Sequence, residues 1–215
     1  ISVFKFEPEK LAQIKGISET KAKEMSESFN ENWEVWQIVG FLERFGIGAE
    51  NAKKVYNLLG INKSTIFKLK QLSKKINFNR PLCLIHGDRH KNNMIKKDNQ
   101  VYYIDWELSC VGDLAYDIAF HIHQMKYSEA DLKYFLLNLE NRLPYEYKSA
   151  INDINIYLCF ITMRSVIYYV KILYDCDYSE KLLDKFYIRL QKLCEYTELG
   201  IKLVSKNDIK TLLMK

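Results

Sequence analysis

Residues 84–95 read L-I-H-G-D-R-H-K-N-N-M-I, and residues 101–107 read V-Y-Y-I-D-W-E. His86, Gly87 and Asp88 precede Asn93, which stands five residues after the Asp, and Asp105 closes the second stretch. Residues 82–85, 93–96 and 101–105 alternate or run apolar and rich in Ile, Val and Tyr, so each is predicted as a short strand. The second and third are joined by a turn over Lys97–Gln100, where Asp98 and Asn99 are good turn formers. A loop of five residues can aim Asp88 and Asn93 into one site, and the hairpin returns Asp105 to the same edge. Two carboxylates and an amide supply hard oxygen ligands, which suit Mg²⁺ and not Zn²⁺.

The protein-kinase catalytic loop, H-R-D-L-x-x-x-N, has the same Asp-to-Asn spacing. Gly87 in place of Arg, and I-D-W-E in place of D-F-G, make the segment resemble the aminoglycoside phosphotransferase and choline kinase family. The stretch G-D-L-A-Y-D-I-A at 112–119 strengthens the resemblance, which covers residues 81 to about 205 and is most specific over 81–120. It implies a kinase-like C-lobe and transfer of a nucleotide γ-phosphoryl group to a small-molecule hydroxyl. It also implies ATP, or another nucleoside triphosphate, with Mg²⁺. By the same resemblance Asp88 is the catalytic base, His86 orients the loop, and Asn93 and Asp105 hold metal and nucleotide phosphates. Asp117 is a structural anchor.

The remaining polar residues nearby have plainer readings. Asp113 and Asp117 suit the N-terminal turn of a helix. His90 is expected to face solvent. His121 and His123 are two apart on a helix, so they point to different faces and form no metal pair. Trp106 is read as packing, and Glu107 could face a cationic substrate. The tyrosines at 157, 168, 169, 174 and 178 suit a bundle core.

Residues 1–60 show a second pattern. G-I-S-E-T-K-A-K-E-M at 16–25 and G-I-G-A-E-N-A-K-K-V at 46–55 align Gly16 with Gly46, Ile17 with Ile47, Ala22 with Ala52 and Met25 with Val55. A Gly turn, then a helix carrying Ala, is the helix-hairpin-helix pattern. Between the units, Trp33, Trp36, Val39 and Phe41 or Leu42 form an apolar stripe on a helix. Residues 6–60 resemble the hairpin region of RecD-like DNA helicases, although no G-x-x-x-x-G-K-[ST] occurs. That resemblance implies non-specific DNA contact through Gly46, Gly48, Lys53 and Lys54. Residues 51–80 carry Lys53, Lys54, Lys63, Lys68, Lys70, Lys74, Lys75 and Arg80 and no acid, a block that attracts phosphate or forms a solvated face.

The chain has 215 residues, is 48% hydrophobic and 27% charged, and has only 8 Gly and 3 Pro, which argues against a loop-built all-β fold. No apolar run is read as approaching the ~20 residues of a membrane span. The first residues carry no secretory pattern, and the five scattered cysteines are read as reduced thiols, so the expected location is cytoplasmic. Helices are expected at 114–126, 128–140, 145–175 and 178–204. The predicted fold is mainly α with a small β element (α+β): tandem helix-hairpin-helix over 1–60, a basic connecting helix over 61–80, and a kinase-like C-lobe over 81–215. No Gly-rich phosphate loop or strand Lys of an N-lobe is recognisable, so that lobe would come in cis or in trans. The alternatives are a non-catalytic nucleic-acid-binding module and an inert kinase-like remnant.

Overall fold

Cys159, Met163, Val166, Val170 and Leu173 recur every three or four residues, which sets them on one stripe of a helix. Ile154, Leu158 and Ile161 form a second stripe. In the computed structural model, which describes residues 7–43, 48–59, 61, 63–175, 179–196, 199–201 and 203–213, both stripes are buried. They lie on one continuous helix, Ala150–Asp175, about which the other elements pack. This helix corrects the reading that no apolar run approaches the length of a membrane span. The stretch Tyr145–Leu173 is long and apolar enough to cross a bilayer, yet half of its apolar window is buried inside the fold.

In chain order the helices are α1 (Glu19–Glu43), α2 (Ala49–Leu59), α3 (Lys63–Ser73), α4 (Leu114–Met125), α5 (Glu129–Arg142), α6 (Ala150–Asp175), α7 (Glu180–Cys194) and α8 (Lys206–Leu213). The strands are β1 (Cys83–Ile85), β2 (Met94–Lys97), β3 (Gln100–Tyr103) and β4 (Cys110–Gly112). The fold is mainly helical, with two small antiparallel sheets, β1–β4 and β2–β3. The β2–β3 turn falls at Asp98 and Asn99, with φ of 50° and 61°. Both are left-handed, as a two-residue hairpin turn of matching twist requires. Strand β4 was not expected from the sequence. It pairs Leu84 with Val111 and Ile85 with Cys110.

One stripe of α6 meets Leu183, Phe186, Leu190 and Leu193 of α7, together with Leu58 and Leu59 of α2 and Ile66, Leu69 and Leu72 of α3. The sequence divisions at residues 60 and 80 therefore run beside or through a shared core. The other stripe meets Ile118, Ala119 and Ile122 of α4. Ala115 and Ala119 are fully buried, and their small side chains let α4 approach α6 closely.

Two helical expectations are corrected. The helix expected over 178–204 ends at Cys194, and a separate helix follows from Lys206, capped by Ser205, whose Oγ accepts the Asp208 N–H at 3.2 Å. Near the N-terminus, a 3-10 turn over Pro8–Gln13 and a turn at Gly16 (φ +95°) lead into α1. Ser18 Oγ accepts the Lys21 N–H at 3.2 Å. Helix α1 then runs 25 residues without a break, where the sequence reading had two helices. Its Asn30 and Asn32 do not stop it, and it holds neither Pro nor Gly before Gly40. Phe29 and Trp33 pack against each other within it, ring centroids 5.1 Å apart and the planes tilted by 33°. The expected stripe residues Trp36, Val39, Phe41 and Leu42 have side chains outside the described residues, as do Gly46, Ile47 and the Lys54 side chain. Gly48 precedes α2, and Lys53 is exposed on it.

One polar network joins the core to the sheet that carries the site. Arg80, whose side chain is 2% exposed, donates from Nε and Nη2 to Asp113 at 2.7 and 2.6 Å, and from Nη1 to Asp153 at 2.7 Å. Burial alone would make Arg80 easier to deprotonate, but these two carboxylates hold it firmly charged. Tyr157 OH adds a fourth hydrogen bond, to Asp113 at 2.8 Å. The chain entering β1 is thus pinned to the start of α4 and to α6.

Candidate active site

Asp88 follows β1 in a loop whose shape is set from below. The N–H groups of His86 and Gly87 donate to Asp117 Oδ2 and Oδ1 at 3.3 and 3.0 Å. Asp117 is buried in the first turn of α4, so a helix of the core carries the loop. Gly87 has φ +79°, and a Cβ there would lie 2.5 Å from the Leu108 carbonyl oxygen. Glycine is required on both grounds.

His86 is 2% exposed. Its Nδ1 accepts the Asp88 N–H at 3.3 Å, so the proton sits on Nε2, which donates to the Ile104 carbonyl at 2.9 Å. The ring therefore ties the Asp88 loop to the end of the β2–β3 hairpin. Ile104 N–H in turn donates to the Asn93 carbonyl at 3.0 Å. Trp106 packs its ring 4.7 Å from His86 and donates from Nε1 to the Tyr103 carbonyl, in keeping with a packing role.

Asn93 is buried and donates from Nδ2 to the Asp88 carbonyl at 3.1 Å and to Asp88 Oδ2 at 3.2 Å. The same carboxylate oxygen lies 3.2 Å from His90 Nε2. His90 Nδ1 accepts the Asn92 N–H at 3.2 Å, which leaves the His90 proton on Nε2, facing Asp88. His90 is thus half-buried against the candidate base and does not face solvent as the sequence suggested. Asp88 Oδ2 accepts the Asn93 hydrogen bond and lies beside His90 Nε2, and Oδ1 is left for a further proton.

Asp105 is exposed and adopts φ +63° immediately after Ile104, the residue bonded to both His86 and Asn93. Its carboxylate makes no hydrogen bond or ion pair among the described residues. With Asn93 Nδ2 turned to Asp88, the amide oxygen is the end left to meet a cation. The donor set fits a hard divalent ion that keeps waters and takes phosphate oxygens. No cluster of three or more His, Cys, Asp and Glu gathers among the described residues, in line with so open a set.

Further residues come to the site that the sequence did not single out. Arg89 lies over the Tyr103 ring at 4.2 Å, and its Nη1 is 3.5 Å from Asp117 Oδ2. Burial first, then the Arg89 charge, lowers the His121 pKa to about 4, so its ring is neutral, and its Nε2 lies 2.8 Å from Tyr127 OH. His123 points elsewhere, to Ser165 Oγ at 3.1 Å, so the two histidines form no metal pair. A cleft of about 440 Å³ opens beside Asp88, lined by Leu108, Cys110, Tyr116, Phe120 and Arg164 among others. Glu107 is exposed and does not line it.

Comparison with known proteins bears directly on this arrangement. Residues 43–145 match the model of the phosphotransferase enzyme family, APH. The match takes in the whole Asp88 loop, all four strands and Asp117. It also takes in Gly46, Gly48, Lys53 and Lys54, which the sequence alone grouped with the hairpins, and the basic helix α3, which it read as a connecting helix. Among solved structures, an ethanolamine kinase of Plasmodium vivax is 18% identical, with a TM-score of 0.51 over 77% of this chain and 49% of that one. The fold is kinase-like. A protein LicA homolog of Metamycoplasma hominis is 36% identical over 52 residues, covering 24% of this chain and 21% of that protein. The chain thus spans about half the length of the solved kinase, and its match to the curated relative about a fifth.

Proposed function

We propose that this chain carries the catalytic lobe of a small-molecule phosphotransferase, which moves the γ-phosphoryl group of ATP or another nucleoside triphosphate to a hydroxyl. The observation that carries the reading is the hold on Asp88. One carboxylate oxygen is fixed by Asn93 and His90, and the residue borders a cleft of small-molecule size.

In this reading the acceptor hydroxyl hydrogen-bonds to Asp88 Oδ1. Its oxygen attacks the γ-phosphorus, and a new P–O bond forms as the bond to the leaving nucleoside diphosphate breaks. The hydroxyl proton passes to Asp88 and then to solvent. Asn93 and Asp105 would hold Mg²⁺, which when bound supplies neutralisation of the phosphate charge. His86 keeps the loop and the Asp105 strand end in register. In this reading a further lobe, in cis or in trans, would cover the phosphates.

The test is transfer of radiolabel from γ-labelled ATP with Mg²⁺ to a panel of hydroxyl compounds: ethanolamine, choline, an aminoglycoside, glycerol and glycerate. Transfer is expected, with a fall of about 100-fold or more in Asp88→Asn and an unchanged circular dichroism spectrum. Equal transfer by Asp88→Asn and the parent would remove Asp88 as the base and the reading with it.

A further inference from the structure

The cleft beside Asp88 has a polarity of its own. Tyr116 and Phe120 from α4 and Leu108 from the segment before β4 form an apolar wall. The two rings lie 6.2 Å apart, centroid to centroid. Arg164 reaches the same cleft from α6, and its Nη1 lies 3.4 Å from Tyr116 OH. Arg164 has no ion pair among the described residues, and no carboxylate except that of Asp88 lines the cleft. An exposed guanidinium therefore stands across a small apolar-walled space from the carboxylate of the candidate base.

That arrangement discriminates between acceptors. An amino alcohol would bring its ammonium group beside this cation, and like charges repel. A hydroxyl compound bearing a carboxylate or phosphate would pair with the planar guanidinium, whose fork matches both anions, while its hydroxyl turns to Asp88. A cleft of about 440 Å³ has room for such a compound. Glu107, the acid that sequence reading placed opposite a cationic substrate, stays outside the cleft. We propose that the phosphoryl acceptor is a small hydroxyl compound carrying an anionic group, held at Arg164 with its hydroxyl at Asp88. The assignment as an acceptor rests on the phosphotransferase reading; the preference for an anion rests on the cleft alone.

The two claims separate in one experiment. The isotopically labelled full chain is titrated with glycerate, glycerol 3-phosphate and ethanolamine, and binding is followed by NMR at the Arg164 side chain and the Tyr116 and Phe120 rings. Glycerate or glycerol 3-phosphate is expected to shift these signals, and the stronger of the two tells carboxylate from phosphate. The dissociation constant should rise about tenfold in Arg164→Gln, as loss of a charge-assisted pair predicts. Arg164→Glu should lose the anions and gain ethanolamine. The proposal is overturned if ethanolamine binds more tightly than both anions, if no probe binds, or if Arg164→Gln binds the anions as well as the parent. It is also overturned if Arg164→Gln weakens ATP alone, which would make Arg164 a nucleotide contact. Radiolabel transfer from ATP is then measured on the same probes. Anion binding without any transfer would count against the phosphotransferase reading and leave the anion pocket standing. Transfer to ethanolamine that Asp88→Asn abolishes would do the reverse.

Discussion

His90 Nε2 lies 3.2 Å from Asp88 Oδ2, and the Asn92 N–H fixes the His90 tautomer by donating to Nδ1. This makes His90 a positioning residue for the candidate base. His90→Ala should lower kcat by about tenfold, the loss of one polar contact to a charged group, with little change in the acceptor KM. His90→Gln, which keeps a donor at the Nε2 position, should recover part of the loss. Steady-state kinetics with the split into kcat and KM checks it; a His90→Ala variant with parental kcat would reduce the contact to packing.

Gly87→Ala should disturb both stability and activity. The added methyl meets the Leu108 carbonyl, and φ +79° is strained for any side chain. A destabilisation of about 2 kcal/mol is expected in urea unfolding. Because Leu108 also lines the cleft, acceptor affinity should weaken as well.

Arg80→Met should be far more damaging than its distance from the cleft suggests. It would leave Asp113 and Asp153 facing each other without a cation, at a cost of about 3–5 kcal/mol. The pair has a sign as well. Burial pushes the Asp113 pKa up, but the hydrogen bonds from Arg80, Tyr157 and the Ala115 N–H outweigh it and hold it below the ordinary value. Denaturant midpoints of the variant and parent at pH 7 measure the loss.

Stability should fall with acid well before the carboxylates titrate. His121 and His123 both have pKa values lowered to about 4 from 6.5, chiefly by burial, then by Arg89 for the first and by Arg189, Lys192 and Lys126 for the second. Between pH 6.5 and about 4 the unfolded chain binds protons at these rings and the folded chain does not. The histidine contribution is therefore complete above that window and is lost progressively as the pH falls through it. Urea midpoints at pH 7.5, 6 and 5 should decline in that order, and His123→Leu should flatten the slope. Equal midpoints would show that the rings are protonated in the fold.

Asp105→Asn should raise the Mg²⁺ concentration needed for half-maximal transfer by about tenfold, since an anionic ligand becomes a neutral one. Calorimetric titration of Mg²⁺ in the presence of nucleotide gives an independent check. Matching heats in variant and parent would remove Asp105 as a ligand.

What sequence could disclose here was local. Asp88 and Asn93 are five residues apart, so their contact follows from spacing, and the left-handed turn at Asp98 and Asn99 follows from residue type. Arg80 was read only as part of a basic block, because its partners lie 33 and 73 residues away. His90 was misplaced because facing solvent and facing Asp88 differ by one side-chain rotation that the chain order does not encode. The same holds for Arg164, which reaches the cleft only because α6 packs on α4. Helix α1 was divided in two because the weak helix formers Ser26, Ser28, Asn30 and Asn32 stand in its middle.

The Asp117 carboxylate grips two successive loop amides, those of His86 and Gly87, from the first turn of a core helix. Loops ordinarily trade their amide hydrogens with solvent quickly, whereas these two are sealed until α4 itself lets go. In a deuterium-exchange experiment they should keep time with Ile118 and Ile122 and not with the neighbouring hairpin. The clock of the candidate catalytic loop would then be set by the opening of the helical interior, and the loop would stay shut for as long as that interior does.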